Sequence, residues 1–202
     1  MSRKAASQQT RTDILDAAWD LISEQGAEVS MSLIAEAAGV SRQAVHLHFG
    51  TRGGMLTAMV RRVDERLKIK ERMFAAFEIE DPEGRLDKVI SVWLDFVQDI
   101  YPVANDLIRL RETDADAANA WEDRMADLRS WLTVLVRSLK SDGALAPEWT
   151  GREATEYLWA AFSVQIWGLL VHDCQWRPNR SVAVLRSSIK KVLLAQAGGV
   201  RT

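Results

Sequence analysis

The sequence predicts an all-α protein, and two observations support this. Apolar residues recur three and four positions apart along most of the chain, as they do in residues 14–22, and this is the spacing of one helix face. Signals for β-hairpins are missing, because Asp142-Gly143 lies between helical patterns and not between alternating strands. We therefore expect about nine helices and no sheet.

The composition is that of a soluble globular protein. Hydrophobic residues make up 48% of the 202 residues and charged residues 27%, which suffices for a core and argues against a disordered chain. The single cysteine, Cys174, excludes an intrachain disulfide and favours a reducing compartment, so we expect a cytoplasmic protein. The longest apolar stretch, residues 157–171, falls short of the roughly 20 residues that span a membrane. The polar residues 1–9 predict no signal peptide.

Three helices are predicted in the first fifty residues. The first begins at a capping box in residues 10–13 and ends at Gly26. Ser30 and Ser41 are N-cap candidates for two shorter helices, the second of which runs to about Phe49. Three helices with a glycine-containing turn between the last two form a helix-turn-helix pattern.

Residues 53–202 are predicted to form a second, larger helical-bundle domain after a DNA-binding domain in residues 1–52. Its helices are predicted from the apolar spacing and from a second capping box in residues 150–153. Their approximate ranges are 52–77, 86–101, 105–112, 121–139, 150–173 and 181–193.

The third predicted helix has a face suited to DNA. On a helical wheel Arg42, Gln43, His46 and Leu47 lie opposite the apolar side. Arginine can donate two hydrogen bonds to guanine, glutamine can pair with adenine, and leucine can contact a thymine methyl group. The alternative is a solvated polar face of an ordinary bundle helix. Charge does not decide between them, because the formal net charge is only −2.

Three segments resemble the tetracycline-repressor (TetR) family of transcriptional regulators. They are Ile14-Leu-Asp-Ala-Ala18, Ile34-Ala-Glu-Ala-Ala-Gly-Val-Ser41 and His46-Leu-His-Phe49, within a dense match over residues 11–59. The resemblance implies a nine-helix protein whose larger domain binds a ligand and dimerises. It also implies a repressor that binds a palindromic double-stranded DNA operator as a homodimer. A small hydrophobic or aromatic effector would release it, without a further cofactor.

The resemblance assigns roles around the third helix. It implies that Arg42, Gln43 and Leu47 contact bases and that His46 replaces a groove-facing tyrosine of the family. The residues implied to bind phosphates, through side chains or helix N-termini, are Ser30, Ser41, His48 and Arg52.

Gly53-Gly54 departs from the family, which commonly has an acidic or helix-favouring pair at these positions. One hypothesis is a flexible joint at the start of the fourth helix. The other is a close approach of the backbone to a DNA phosphate, and the sequence leaves both open.

The eighth and ninth predicted helices are candidates for a dimer interface. Small residues on one face of the eighth helix permit close approach of another helix, and the resemblance implies a four-helix interface between two subunits. A central helix of a monomer is the alternative. The predicted interface residues are Ala161, Val164, Gly168, Val171, Leu185 and Ile189.

The opposite face of the eighth helix carries a glutamine among apolar and aromatic residues. This combination is typical of a ligand site, and a core glutamine bonded to the backbone explains it equally well. The residues predicted to line the pocket are Trp93, Phe96, Tyr101, Trp131, Trp159, Phe162 and Gln165.

An all-α enzyme and an interaction scaffold without operator binding are the rival classes. Cys174 lies two residues from His172, and such residues do not share a helix face, so a nucleophile–base pair is not predicted. The sequence shows neither metal-ligand spacing nor a glycine-rich phosphate loop. We therefore predict no catalytic, metal or cofactor site.

Overall fold

The computed structural model describes residues 3–26 and 28–195, and in them the protein is all-α, as predicted. These residues form ten α-helices and one π-helical turn, and the only β-type pairing among them is an isolated bridge between Leu145 and Leu194. The helices are α1 (Arg3–Gln25), α2 (Met31–Ala37), α3 (Arg42–Phe49), α4 (Arg52–Arg66), α5 (Ile69–Phe77), α6 (Pro82–Leu110), α7 (Ala115–Ser141), α8 (Gly151–Ala161), α9 (Val164–Gly168) and α10 (Pro178–Leu193). The π-helical turn, Leu169–Asp173, directly follows α9.

The chain forms two compact units. The first unit comprises α1 to α4 together with residues 100–125, and the second comprises residues 68–99 and 126–195. Helix α4 therefore lies in the same unit as the three helices that precede it. The domain division predicted at residue 52 stays a prediction.

The predicted start of the first helix is wrong. Helix α1 begins at Arg3, and Thr10 lies inside it. The Thr10 hydroxyl donates a hydrogen bond to the carbonyl oxygen of Ala6 at 3.0 Å, as threonine does in helix interiors. The capping-box spacing of residues 10–13 therefore arose within a continuous helix.

Two further helix boundaries differ from the prediction. The predicted fourth helix is broken into α4 and α5 at Lys68, which has the left-handed φ of 52° that lysine rarely adopts. Conversely, the predicted fifth and sixth helices are one helix, α6, which continues through Pro102. The apolar spacing continues across Lys68, so the sequence does not reveal the break between α4 and α5. Pro102 was expected to end a helix, but α6 continues through it, so the boundary predicted there is misplaced as well.

The predicted eighth helix is also interrupted. Helix α8 ends at Ala161, and the Ser163 hydroxyl then accepts a hydrogen bond from the Ile166 N–H at 3.3 Å as the N-cap of α9. The π-helical turn widens the backbone before the loop that leads to α10. This region therefore lacks the single continuous helix face from which the pocket and the interface were predicted.

Each unit has its own core. In the first unit Ile14, Ile34 and Val45 are completely buried, one from each of the first three helices. In the second unit the Trp93 indole N–H donates to the Phe162 carbonyl oxygen at 2.7 Å, and the two rings stack with centroids 6.0 Å apart. None of the helices in the described part of the chain has the length and apolar character that crossing a bilayer requires.

Candidate nucleic-acid interface

Helices α2 and α3 are both started by serine side chains. The Ser30 Oγ accepts a hydrogen bond from the Leu33 N–H at 3.2 Å, and the Ser41 Oγ accepts one from the Ala44 N–H at 3.1 Å. Gly39, with a φ of +66°, supplies the left-handed residue between the two helices. These local contacts form the helix-turn-helix that the sequence predicted.

Helix α3 has one buried face and one exposed face. Val45 is fully buried, and Leu47, two positions later, is 81% exposed. Arg42, Gln43 and His46 are exposed beside Leu47. The structure thus brings Arg42, Gln43 and Leu47, the predicted base-contacting residues, onto one accessible face together with His46, and their contact with bases stays a prediction.

The last turn of α3 is held by contacts that the sequence did not reveal. The guanidinium of Arg11, in α1, lies 5.1 Å from the centre of the Phe49 ring, within the range of a cation–π interaction. His46 Nδ1 lies 3.1 Å from the carbonyl oxygen of Gly50, and His48 is half-buried. Arg11 therefore has a structural role in joining α1 to α3.

The first turn of α4 binds the segment that begins α7. Thr51 is the N-cap of α4, because its hydroxyl accepts a hydrogen bond from the Gly54 N–H at 3.0 Å. Arg52, predicted to bind phosphate, forms an ion pair with Asp114. The other oxygen of Asp114 accepts hydrogen bonds from the N–H groups of Asp116 and Ala117, at 2.9 and 3.1 Å.

The charge of Asp114 is stabilised at this position. Burial raises the pKa of its carboxyl group, but the hydrogen bond from the Ala117 N–H and the nearby Arg52 guanidinium together lower the pKa below its usual value. The carboxylate therefore stays ionised at neutral pH. Sequence reasoning missed this pair because its members are 62 residues apart and no local pattern links them.

Gly53 and Gly54 lie where a side chain would collide with other groups. A Cβ atom on Gly53 would come within 2.5 Å of an Asp116 carboxylate oxygen, and one on Gly54 would collide with the carbonyl oxygen of Phe49. Close packing within the first unit therefore accounts for both glycines, and it does so without a joint or a DNA phosphate.

The predicted pocket residues have different environments. Trp93, Phe96 and Phe162 are buried core residues of the second unit, whereas Gln165 is exposed. Trp131 and Trp159 are half-buried in that unit, and Tyr101 belongs to the first unit. The Trp159 indole N–H is itself buried and has no hydrogen-bond partner within the protein, while the Arg129 guanidinium lies 5.1 Å from the centre of its ring.

The predicted interface residues are only partly available to a second subunit. Val164, Gly168 and Ile189 are already buried within one chain, and Ala161, Val171 and Leu185 are half-buried. Two exposed apolar residues that were not among the predicted interface residues lie in the same elements, Leu169 in the π-helical turn and Val192 in α10. The interface itself stays a prediction.

Comparisons with known proteins agree with this architecture. Residues 14–59 match the family model of the bacterial regulatory proteins of the tetR family. No curated protein matches the chain in sequence.

Solved structures share the fold over nearly the whole chain. A protein assigned to the TetR-family transcriptional regulators, from Rhodococcus sp., is 17% identical with a TM-score of 0.76, covering 92% of this chain and 99% of its own. NalD, the secondary repressor of the MexAB-OprM multidrug efflux pump in Pseudomonas aeruginosa, is 25% identical with a TM-score of 0.70, covering 96% and 100%. The fatty acid degradation regulator FadR from Bacillus halodurans is 20% identical with a TM-score of 0.72, covering 94% and 98%.

The helix-turn-helix and these matches define a class of protein, the DNA-binding transcriptional regulators. Within this class, residues 14–59 match the tetR family of bacterial regulatory proteins, and the chain as a whole shares the fold of solved TetR-family regulators.

We expect Gly54→Ala to destabilise the protein, although alanine normally stabilises a helix relative to glycine by roughly 0.5–1 kcal/mol. The added methyl group collides with the backbone of Phe49, and overpacking of this kind costs about 1–3 kcal/mol. Urea unfolding followed by circular dichroism measures the change.

Gly151→Ala is the matched control. At the first position of α8 a methyl group meets only a Val136 carbon at 4.0 Å, so we expect no loss of stability. Equal unfolding midpoints for the two variants would contradict the packing explanation of Gly54.

Proposed function

We propose that this regulator is a repressor that binds a palindromic operator as a homodimer through α3 and leaves it when a small effector binds. The observation that carries the proposal is the exposed face of α3. A leucine that is 81% exposed, on the same helix face as an exposed arginine and glutamine, has no packing role in the subunit. Its chemistry suits base edges and thymine methyl groups in a major groove.

The two capping serines are suited to bind phosphates in the same orientation. Ser30 and Ser41 use their oxygen atoms as acceptors in capping, so each hydroxyl hydrogen is still available to donate to a phosphate. Such contacts fix the orientation of a protein on the duplex, and base contacts then supply specificity. A two-fold dimer would place two α3 helices about 34–36 Å apart, or a multiple of this, on an inverted repeat.

Arg42→Ala tests the contact with bases. Selection from random DNA by the wild-type protein should enrich an inverted repeat. The variant should bind that repeat more weakly by about 1–3 kcal/mol, roughly 5- to 150-fold, with relaxed preference at one position of each half-site.

Arg137→Ala, which removes an exposed arginine of α7, is the matched control and should leave operator affinity within about 2-fold of wild type. Failure of the wild-type protein to enrich any inverted repeat would refute operator binding through α3.

Exposed apolar side chains support a dimer formed by the π-helical turn and α10. Leu169 is 54% exposed and Val192 is 39% exposed in the single chain. Val171 and Leu185 are half-buried in the same two elements. Burial of apolar area of this kind is the main favourable contribution to association.

We expect Leu169→Arg to produce monomers and to weaken operator binding, because an unpaired charge would be buried in the interface. Val134→Arg is the control, since Val134 is 45% exposed on α7, outside the proposed interface. Sedimentation velocity distinguishes the two states. An unchanged dimer in Leu169→Arg would place the interface elsewhere.

Trp159 supports an effector site in the second unit. Its buried indole N–H has no partner, and leaving such a donor unpaired costs about 1–3 kcal/mol. An effector with an aromatic or apolar body and one hydrogen-bond acceptor would satisfy this donor. A solved structure of the same fold, from Saccharomonospora viridis, contains bound choline, so a small-molecule site is compatible with this fold.

Trp159→Phe tests this site. Compounds that raise the melting temperature of the wild-type protein in a screen of apolar and aromatic acceptors should bind the variant about 5- to 10-fold more weakly, because it lacks the N–H donor. Trp176→Phe, a half-buried tryptophan outside the predicted pocket, should bind them normally. Equal affinities of every compound for both variants would exclude Trp159 from the effector site.

A further inference from the structure

Three ion pairs connect α4 with the beginning of α7. Arg52 pairs with Asp114, and Arg61 donates two hydrogen bonds to Asp123, at 3.0 and 2.6 Å. The third pair reverses the charges, with Arg124 lying 2.5 Å from a carboxylate oxygen of Asp64. We call these pairs the α4–α7 ladder.

The ladder holds two helix segments side by side in parallel. Its first two pairs each join residues 62 positions apart, and a constant offset arises only when two segments run in the same direction. Gly53 approaches Asp116 closely at the same end, beside Arg52. The first turn of α4 is therefore tied to the first turn of α7 by charge and by packing.

Asp114 has two functions in this arrangement. One carboxylate oxygen accepts the N–H groups of Asp116 and Ala117 and so caps α7, while the other pairs with Arg52. The side chains of Arg52 and Asp114 are only 22% and 28% exposed. This partial burial limits the exchange of the pair with solvent ions.

We propose that Asp114 competes with DNA phosphate for Arg52 and thereby limits the affinity of this protein for DNA of any sequence. The inference rests on the proposed function and on the phosphate contact that the family resemblance implies for Arg52. Carboxylates and phosphates are recognised by the same guanidinium geometry.

The double role of Asp114 makes this competition dependent on the position of α7. A displacement of the first turn of α7 moves the capping carboxylate, and the partner of Arg52 moves with it. Arg52 is then released to phosphate or held more firmly. Asp114 is thus a positioning residue that sets the availability of Arg52.

Asp114→Asn tests the proposal without loss of the helix cap, because asparagine caps helices as well as aspartate. The probe is a fluorescently labelled DNA duplex of random sequence, titrated with the full chain at several salt concentrations. We expect the variant to bind roughly 5-fold more tightly, with a plot of log K against log salt steeper by about 0.9, the value for one added phosphate contact.

Two controls separate this effect from a general change in charge. Asp123→Asn removes the same charge from the next pair of the ladder, whose Arg61 is not a predicted phosphate ligand, and should leave affinity and salt slope unchanged. In an Arg52→Ala background, Asp114→Asn should give no gain. Thermal unfolding verifies that all variants are folded.

The following results would contradict the proposed competition or the function on which it rests. Weaker binding by Asp114→Asn would show that Asp114 holds Arg52 in place for the phosphate, and this would overturn the competition. Equal gains in Asp114→Asn and Asp123→Asn, or a gain that persists without Arg52, would overturn it as well. If the wild-type protein binds no duplex DNA, the proposed function itself fails and the inference fails with it.

Discussion

The candidate interface depends on the close approach between the end of α3 and the start of α4. The carbonyl oxygen of Phe49 lies where a side chain on Gly54 would be, and Asp116 occupies the corresponding space beside Gly53. Two consecutive glycines in a first helical turn cost roughly 0.5–1 kcal/mol each relative to alanine. The protein tolerates this cost because only glycine allows α3, α4 and the start of α7 to meet so closely.

The same arrangement separates the residues that hold α3 from those that face outward. Val45 anchors the helix in the core, while Arg11 contacts the ring of Phe49 from α1. The outward residues, among them Leu47, are not needed for packing, so substitutions at these positions should leave the stability of the protein nearly unchanged. The specificity of such a site is therefore set on a rigid support by residues that packing does not constrain.

The sequence predicted the features that are local in the chain. A serine N-cap is recognised from the residues of the next helical turn, so the caps at Ser30 and Ser41 were correctly predicted. The exposed side of α3 was also correctly predicted, because it follows from the spacing of apolar residues along the same helix. The Lys68 break was not predictable in this way, because apolar spacing continues across it. The pairing of Arg52 with Asp114 depends on tertiary packing between residues 62 positions apart, and no periodicity encodes it.

The tryptophans show why composition cannot separate a pocket from a core. Trp93 and Trp159 were both predicted to line a ligand site, and both are large rings with one polar group. Their hydrogen bonds differ: the Trp93 N–H is bonded to the Phe162 carbonyl oxygen, and the Trp159 N–H has no partner in the protein. A buried N–H that already donates a hydrogen bond gains nothing from a ligand. A buried N–H without a partner retains the full cost of its lost hydration, which a ligand acceptor would offset. The state of the polar group, which only the three-dimensional structure reveals, is therefore what makes Trp159 the stronger candidate for ligand binding.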